Sequence, residues 1–226
     1  MPSSTFFNLP DQKRESLIEI AVDEFSNHDY DSASISRIVH RAGIAKGSFY
    51  QYFQDKKDLY LYLVGLISTT KTSFLQEIHP TESKMKFFDY LLWLFEASIR
   101  FDLTHPALSK LRYRIFYGDL PFRDKTMEEA KEASSNFFRN LVIEGMDQGD
   151  IDPGLDSELV VFVIDILTKN FGDYVPKKLG LKPEEIAQEG ITILDIEATK
   201  KIFKDLVDVL QFGLIDCKAK AVQLEE

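Results

Sequence analysis

An all-α protein is predicted by three features of this chain. Glycine and proline are scarce, at 11 and 8 of 226 residues. No segment alternates apolar and polar residues as a half-buried strand does. Apolar residues instead recur at spacings of three and four between turn signals, the pattern of helices with one buried face. At 44% hydrophobic and 28% charged, the composition is ordinary for a soluble globular protein, and the length allows one large or two modest domains.

In chain order, Met1 to Leu9 is a short arm whose Phe6 and Phe7 are expected to pack on the first domain. Pro10 and Asp11 suit the first turn of a helix, by fixed φ and by favourable interaction with the dipole. That helix carries Leu17, Ala21 and Phe25 on one stripe, with Ile18 and Val22 beside it, and ends near His28. Its stripe needs a partner. Two short helices supply one: Ile35, Ile38, Val39 and Ala42 share a face, Ser34 is placed to cap it, and Gly43 stands where a left-handed residue ends it. Ile44 and Phe49 can fold back onto that face, closing a helix-turn-helix.

A fourth helix is expected from Lys56 to about Ile78, with Leu59, Leu63, Leu66 and Ile67 inward. His79-Pro80-Thr81 ends it, and Thr81 can cap the next, which runs to about Phe101. Thr104 as cap and Pro106 in the first turn open another, with Leu108, Leu111, Ile115 and Phe116 buried. After Gly118 to Pro121, a long helix is expected from about Arg123 to Gln148. The stretch Leu159 to Leu167 is apolar nearly all round and calls for burial on both flanks. Val175 to Ile193, rich in proline and glycine, reads as a loop with one short helix. An amphipathic helix from Ile196 to about Lys218 comes last, and residues 219–226 should fray.

If Phe49 and Phe53 face inward with Ala45, then Lys46, Gly47, Tyr50 and Gln51 face outward together. An amide pairs with base edges, a cation and a phenol suit phosphates, and a bare glycine admits a close backbone. On spacing alone, an ordinary solvated hairpin remains the alternative.

A longer pattern narrows the choice. Phe25, Tyr30, Ser34-Ile35, Ile38-Val39, Ala42-Gly43-Ile44, Lys46-Gly47-Ser48-Phe49-Tyr50, Tyr52-Phe53 and Lys56 together resemble the N-terminal domain of the TetR family of transcriptional regulators. Two departures stand out. Ala45 replaces the family's usual Ser or Thr, which removes a side-chain cap worth about 1 kcal/mol. Asp29 stands where the family commonly has Gly, a residue that tolerates a left-handed turn better than most.

The resemblance implies a DNA-binding domain over 1–54 and an effector-binding and dimerisation domain over 55–226. It implies a homodimer on a double-stranded DNA operator, paired through the last two long helices, and regulation, usually repression, relieved by a small-molecule effector. By position, Lys46, Tyr50, Tyr52 and Lys56 are expected at phosphates and Gln51 and Ser48 at base edges. Gly47 is expected at a close approach, and Ser34 at a phosphate on its helix N-terminus. The effector cavity is expected among Trp93, Arg100, Tyr113, Tyr117, Phe137, Asn170, Phe171 and Tyr174, which combine aromatic surface with hydrogen-bonding tips. Core packing is the alternative for each, and an apolar or aromatic effector fits them best.

The net charge of −10 runs against a DNA-binding role, but from Ala33 to Lys57 there are five cations (Arg37, Arg41, Lys46, Lys56, Lys57) against Asp55, a local excess of +4. Charges beyond about 10 Å are screened at 0.1 M salt, so the local cluster decides. No apolar run is long enough to span a membrane, and no basic segment precedes an apolar one as in a signal peptide. The lone Cys217 excludes an intrachain disulfide and suits a reducing cytoplasm. The four histidines have no metal-ligand spacing and no nucleophile motif occurs, so neither a cofactor, a metal nor enzymatic activity is expected. The alternative on sequence is a small helical enzyme or a ligand-sequestering protein with an incidental hairpin.

Overall fold

The computed structural model describes residues 2–79 and 85–213, and all regular structure among them is helical. In order these are α1 (Ser4–Phe7), α2 (Asp11–Asn27), α3 (Ile35–Arg41), α4 (Lys46–Tyr52), α5 (Lys56–Glu77) and α6 (Phe87–Thr104). Then come α7 (Pro106–Tyr117), α8 (Arg123–Asp147), α9 (Ser157–Lys178), α10 (Pro183–Glu189), a turn of 3-10 helix (Gly190–Ile193) and α11 (Ile196–Phe212). The cap expected at Thr81, Cys217 and the fraying over 219–226 lie outside the described residues.

The helices form two compact units. The first is built from α1 to α5, α6 from Ser98 onward, α7, and α10 with its 3-10 turn. The expected DNA-binding segment 1–54 lies wholly within it. Its core joins Leu17, Ala21 and Phe25 of α2, Ile38 and Val39 of α3, Phe49 of α4, Leu59 and Leu63 of α5, and Leu111 and Ile115 of α7. Each such large side chain contributes on the order of 1.5–3 kcal/mol on burial. A helix-turn-helix is too small to enclose much core alone, and α5 and α7 enlarge it.

The local signals act largely as expected. The Ser34 hydroxyl accepts from the Arg37 amide at 3.4 Å, and Gly43 takes φ of +64°. Gly118 ends α7 where a Cβ would lie 2.5 Å from the Arg114 carbonyl oxygen, so no larger residue fits that turn. Three expectations are corrected. Thr104 is not a cap: α6 continues through it, its hydroxyl donates to the Arg100 carbonyl at 2.8 Å, and His105 holds the cap position. Asp29 needs no left-handed backbone, since among the described residues only glycines have positive φ. The stretch read as a loop from Val175 begins inside α9, which carries Pro176 in its last turn.

The second unit is built from the start of α6, α8 from Glu129, α9 and α11. Phe87 and Leu91 of α6, Phe138 and Val142 of α8, Val161 and Ile164 of α9, and Phe203 and Val207 of α11 form its core. Phe95 and Phe203 stack with ring centroids 4.0 Å apart, and Phe171 meets both edge-on. Within the chain, α9 is covered on one flank only: Val161 and Ile164 are buried, while Leu159, Phe162, Val163 and Ile166 are exposed. No helix of the described residues is long and apolar enough to cross a membrane.

Candidate nucleic-acid interface

The second helix of the helix-turn-helix, α4, is held from behind by Phe49, with Phe53 just beyond its end, both almost completely buried. That fixes its other side. Lys46, Gly47, Tyr50 and Gln51 are all exposed, Tyr50 at 55%. A Cβ at Gly47 would meet nothing within 4 Å, so the backbone there is open to a neighbour. Ser48 and Tyr52 are half-buried at the edges of this face. Ala45 is exposed rather than inward and makes no side-chain cap.

The far end of α4 is closed by a device that sequence patterning did not reveal. The Ser3 amide donates to the Tyr52 carbonyl at 2.9 Å, and the Ser3 hydroxyl to the Gln51 carbonyl at 2.5 Å, satisfying two acceptors that a helix end leaves open. α1 is anchored there by Phe6, fully buried with its ring 4.9 Å from Phe53 and 5.4 Å from Tyr62. Phe7, expected to pack likewise, is largely exposed. The aromatic pair in the arm was the only sign of this contact.

The near side of the motif rests on Glu24, a carboxylate that is 1% exposed. It accepts from the Ser34 amide at 2.8 Å and from Arg37 Nε and Nη2 at 2.9 and 2.5 Å. Burial alone would raise its pKa; the hydrogen bonds from Arg37 and Ser34, with the fields of His28 and Arg37, outweigh that and hold it below the usual carboxylate range. Ser34 is the residue expected at a phosphate on this helix N-terminus. Its amide end of α3 already faces a carboxylate, and a phosphate there would meet like charge.

Lys56, also expected at a phosphate, has partners within the protein. Its ammonium donates to the carbonyls of Tyr30, Asp31 and Ala33 at 2.7, 3.1 and 3.2 Å and lies over the Tyr30 ring. All three donors are engaged in tying the α2–α3 turn to α5, so a phosphate contact would have to displace one. Arg37 and Arg41 pair with Glu24 and Asp23 of α2. Counting those two carboxylates brings the local excess from +4 to +2. Lys46 carries the exposed charge on the α4 face.

The residues expected at an effector cavity divide between the units. Arg100, Tyr113 and Tyr117 belong to the first; Trp93, Phe137, Asn170, Phe171 and Tyr174 to the second. Tyr113 is buried and stacks on Tyr117, and Arg100 is exposed. Phe171 sits in the second core, Trp93 is half-buried against Tyr90, and Phe137, Asn170 and Tyr174 are exposed. Among the described residues no group of three or more His, Cys, Asp or Glu is placed to hold a metal.

Residues 17–63 match the family described as bacterial regulatory proteins, tetR family, and residues 85–215 match the tetracyclin repressor-like C-terminal domain. The chain belongs to the TetR family. A crystal structure of a TetR family transcriptional regulator from Chloroflexus aurantiacus J-10-FL is 40% identical, covering 94% of this chain and 98% of that one, with a TM-score of 0.64. The HTH-type transcriptional regulator YdgC of Bacillus subtilis (strain 168) is 38% identical over 192 residues, 81% of this chain and 91% of its own. The Bacillus subtilis transcriptional regulator FadR, solved with stearoyl-CoA, shares the fold at 18% identity and a TM-score of 0.61, over 89% of this chain and 99% of its own. As a TetR-family protein, the chain is a DNA-binding transcriptional regulator. The α3–α4 hairpin, with its exposed Lys46, Gly47, Tyr50 and Gln51, lies inside the first matched segment.

Proposed function

We propose that this TetR-family protein is a homodimeric repressor that sets two copies of α4 into major grooves about 34–36 Å apart, one turn of B-DNA. The exposed face of Lys46, Gly47, Tyr50 and Gln51, rigidly backed by Phe49, is the observation that carries the reading. In it, Lys46, Tyr50 and Tyr52 hold phosphates, Gln51 and Ser48 reach base edges, and Gly47 lets the backbone come close. Ser34 and Lys56 hold the motif together from behind. The apolar flank of α9, with Leu159, Phe162, Val163 and Ile166 exposed at helical spacing, supports pairing through the C-terminal helices. The protein acts in the cytoplasm, where its operator is.

The effector is proposed to be a largely apolar small molecule, and the stearoyl-CoA complex of FadR makes long-chain acyl compounds the first class to try. Its effect on DNA can be no larger than its preference for one conformation over the other. Selection of bound sequences from random duplex DNA, then retardation at several salt concentrations, tests the core of the reading. A twofold-symmetric site bound by a dimer is expected. Failure to enrich any sequence, or binding by a monomer, would overturn it.

A further inference from the structure

The first unit contains a buried charged cluster far from α4 in sequence, which patterning did not single out. Asp102 of α6, only 4% exposed, pairs with Arg112 of α7. Ser109, also on α7, is fully buried. Lys71 of α5 is half-buried within electrostatic reach of both charged partners. The Arg112 guanidinium is steadied by the Tyr113 ring, 4.6 Å beneath it, with Phe116 at 5.9 Å.

Pairing does not satisfy this cluster. Asp102 Oδ1, Arg112 Nε and Ser109 Oγ have no hydrogen-bond partner among the described residues. Buried polar atoms are normally bonded, and each exception calls for an explanation. The imbalance is one of charge. Lys71 and Arg112 face the single carboxylate of Asp102, leaving one positive charge over. Burial, and then the field of Arg112, push the Lys71 ammonium down to about 8, partly offset by Asp102. An ammonium so placed gains from an added negative charge. Aromatic rings stand at neighbouring positions: besides Tyr113 and Phe116, Phe74 and Phe101 pack edge to face from α5 and α6, with the His105 ring against both.

We propose that the Lys71–Asp102–Arg112 cluster receives one oxyanion of the effector, a carboxylate or a phosphate, carried on an apolar body. The inference rests on the proposed response to an effector and adds the chemistry of the head group. It also gives the ligand a route to the DNA side. Arg112 and Arg114 are on the same helix, and Arg114 binds the end of α2 through the Ser26 carbonyl and the Asp29 carboxylate. Occupancy at Arg112 therefore bears on the helix that positions the reading head.

The experiment uses the full chain and its selected operator, with dodecanoate, dodecyl phosphate and dodecan-1-ol as probes in calorimetry. At least one anion is expected to bind tenfold or more tightly than the alcohol, and which anion it is distinguishes carboxylate from phosphate. Lys71→Met should abolish that preference while the anions still bind no more weakly than the alcohol. Arg112→Gln should do the same, with thermal unfolding checking that it still folds. Equal binding of alcohol and anions, binding of neither anion, or a Lys71→Met variant that keeps the preference would each overturn the inference. If the probe-free protein holds no operator, the regulator reading fails; if it holds operator and the alcohol matches the anions, only the head-group assignment fails.

Discussion

Arg114 of α7 closes over the end of α2, pairing with the Asp29 carboxylate while its Nε donates to the Ser26 carbonyl at 2.8 Å. The two contacts are not equal. Arg114 is 9% exposed, whereas the Asp29 side chain is 69% exposed and its half of the pair is screened by water. Arg114→Met, which keeps the stem but removes the donors, should cost about 1–3 kcal/mol, since it strands a carbonyl. Asp29→Ala should cost under about 1 kcal/mol. Urea denaturation of both variants checks the order, and equal losses would contradict it.

Glu24 makes the reading head sensitive to acid. Its pKa is lower folded than unfolded, so its contribution is present above the ordinary carboxylate range and disappears as pH falls through the folded value. Glu24→Gln keeps the shape but not the charge that Arg37 and the Ser34 amide address. At pH 7 it should be less stable than the parent by about 1–3 kcal/mol, and the gap should close as pH falls below about 4. Denaturation midpoints from pH 7 to 3 provide the measurement. A gap that stays constant would mean that Glu24 acts through shape alone.

Two lysines near α4 should behave differently on DNA. Lys46 is exposed on the outer face, so Lys46→Ala should weaken binding to all sequences and reduce the salt slope by about one unit. Lys56 holds three carbonyls, so Lys56→Ala should lower the unfolding midpoint and leave the slope nearly unchanged. Anisotropy titrations over a salt series separate the two. The reverse assignment of slopes would restore Lys56 as a phosphate contact.

The exposed flank of α9 provides a test of pairing. Phe162 is 59% exposed in the middle of an apolar row. A charge there faces water in a monomer and an apolar partner in a dimer, where burial without a counter-charge is costly. Phe162→Glu should shift the protein to monomer in sedimentation velocity at micromolar concentration and weaken operator binding, with helix content unchanged. A dimer that survives would place the interface elsewhere.

How far the sequence could be read depended on the range of each signal. Ser34, Gly43 and the Ile38–Val39 face are local: cap, turn and period act within a few residues, and the structure has them as expected. The outward set on α4 was legible because Phe49 and Phe53 fix its rotation. The partners of Arg37, Arg41 and Lys56 were not legible from the α3–α4 stretch. They come from α2 and from the turn after it, and a count along the chain credits DNA with charges that the fold neutralises. Asp102 and Arg112 were hidden for the same reason, ten residues apart in sequence and joined only when α6 and α7 pack.

Gly47 gives a prediction in which stability and function move in opposite directions. It is a glycine inside a helix, exposed, with nothing within 4 Å of an added Cβ. Alanine is favoured over glycine in helix interiors by up to about 1 kcal/mol, so Gly47→Ala should raise the unfolding midpoint. The same methyl would stand on the face proposed to meet the duplex, where a bare backbone allows closest approach. Operator affinity should therefore fall while stability rises, read from the same preparation by denaturation and anisotropy. A variant that is more stable and binds undiminished would show that Gly47 stands clear of the groove and that the docking face is rotated away from it.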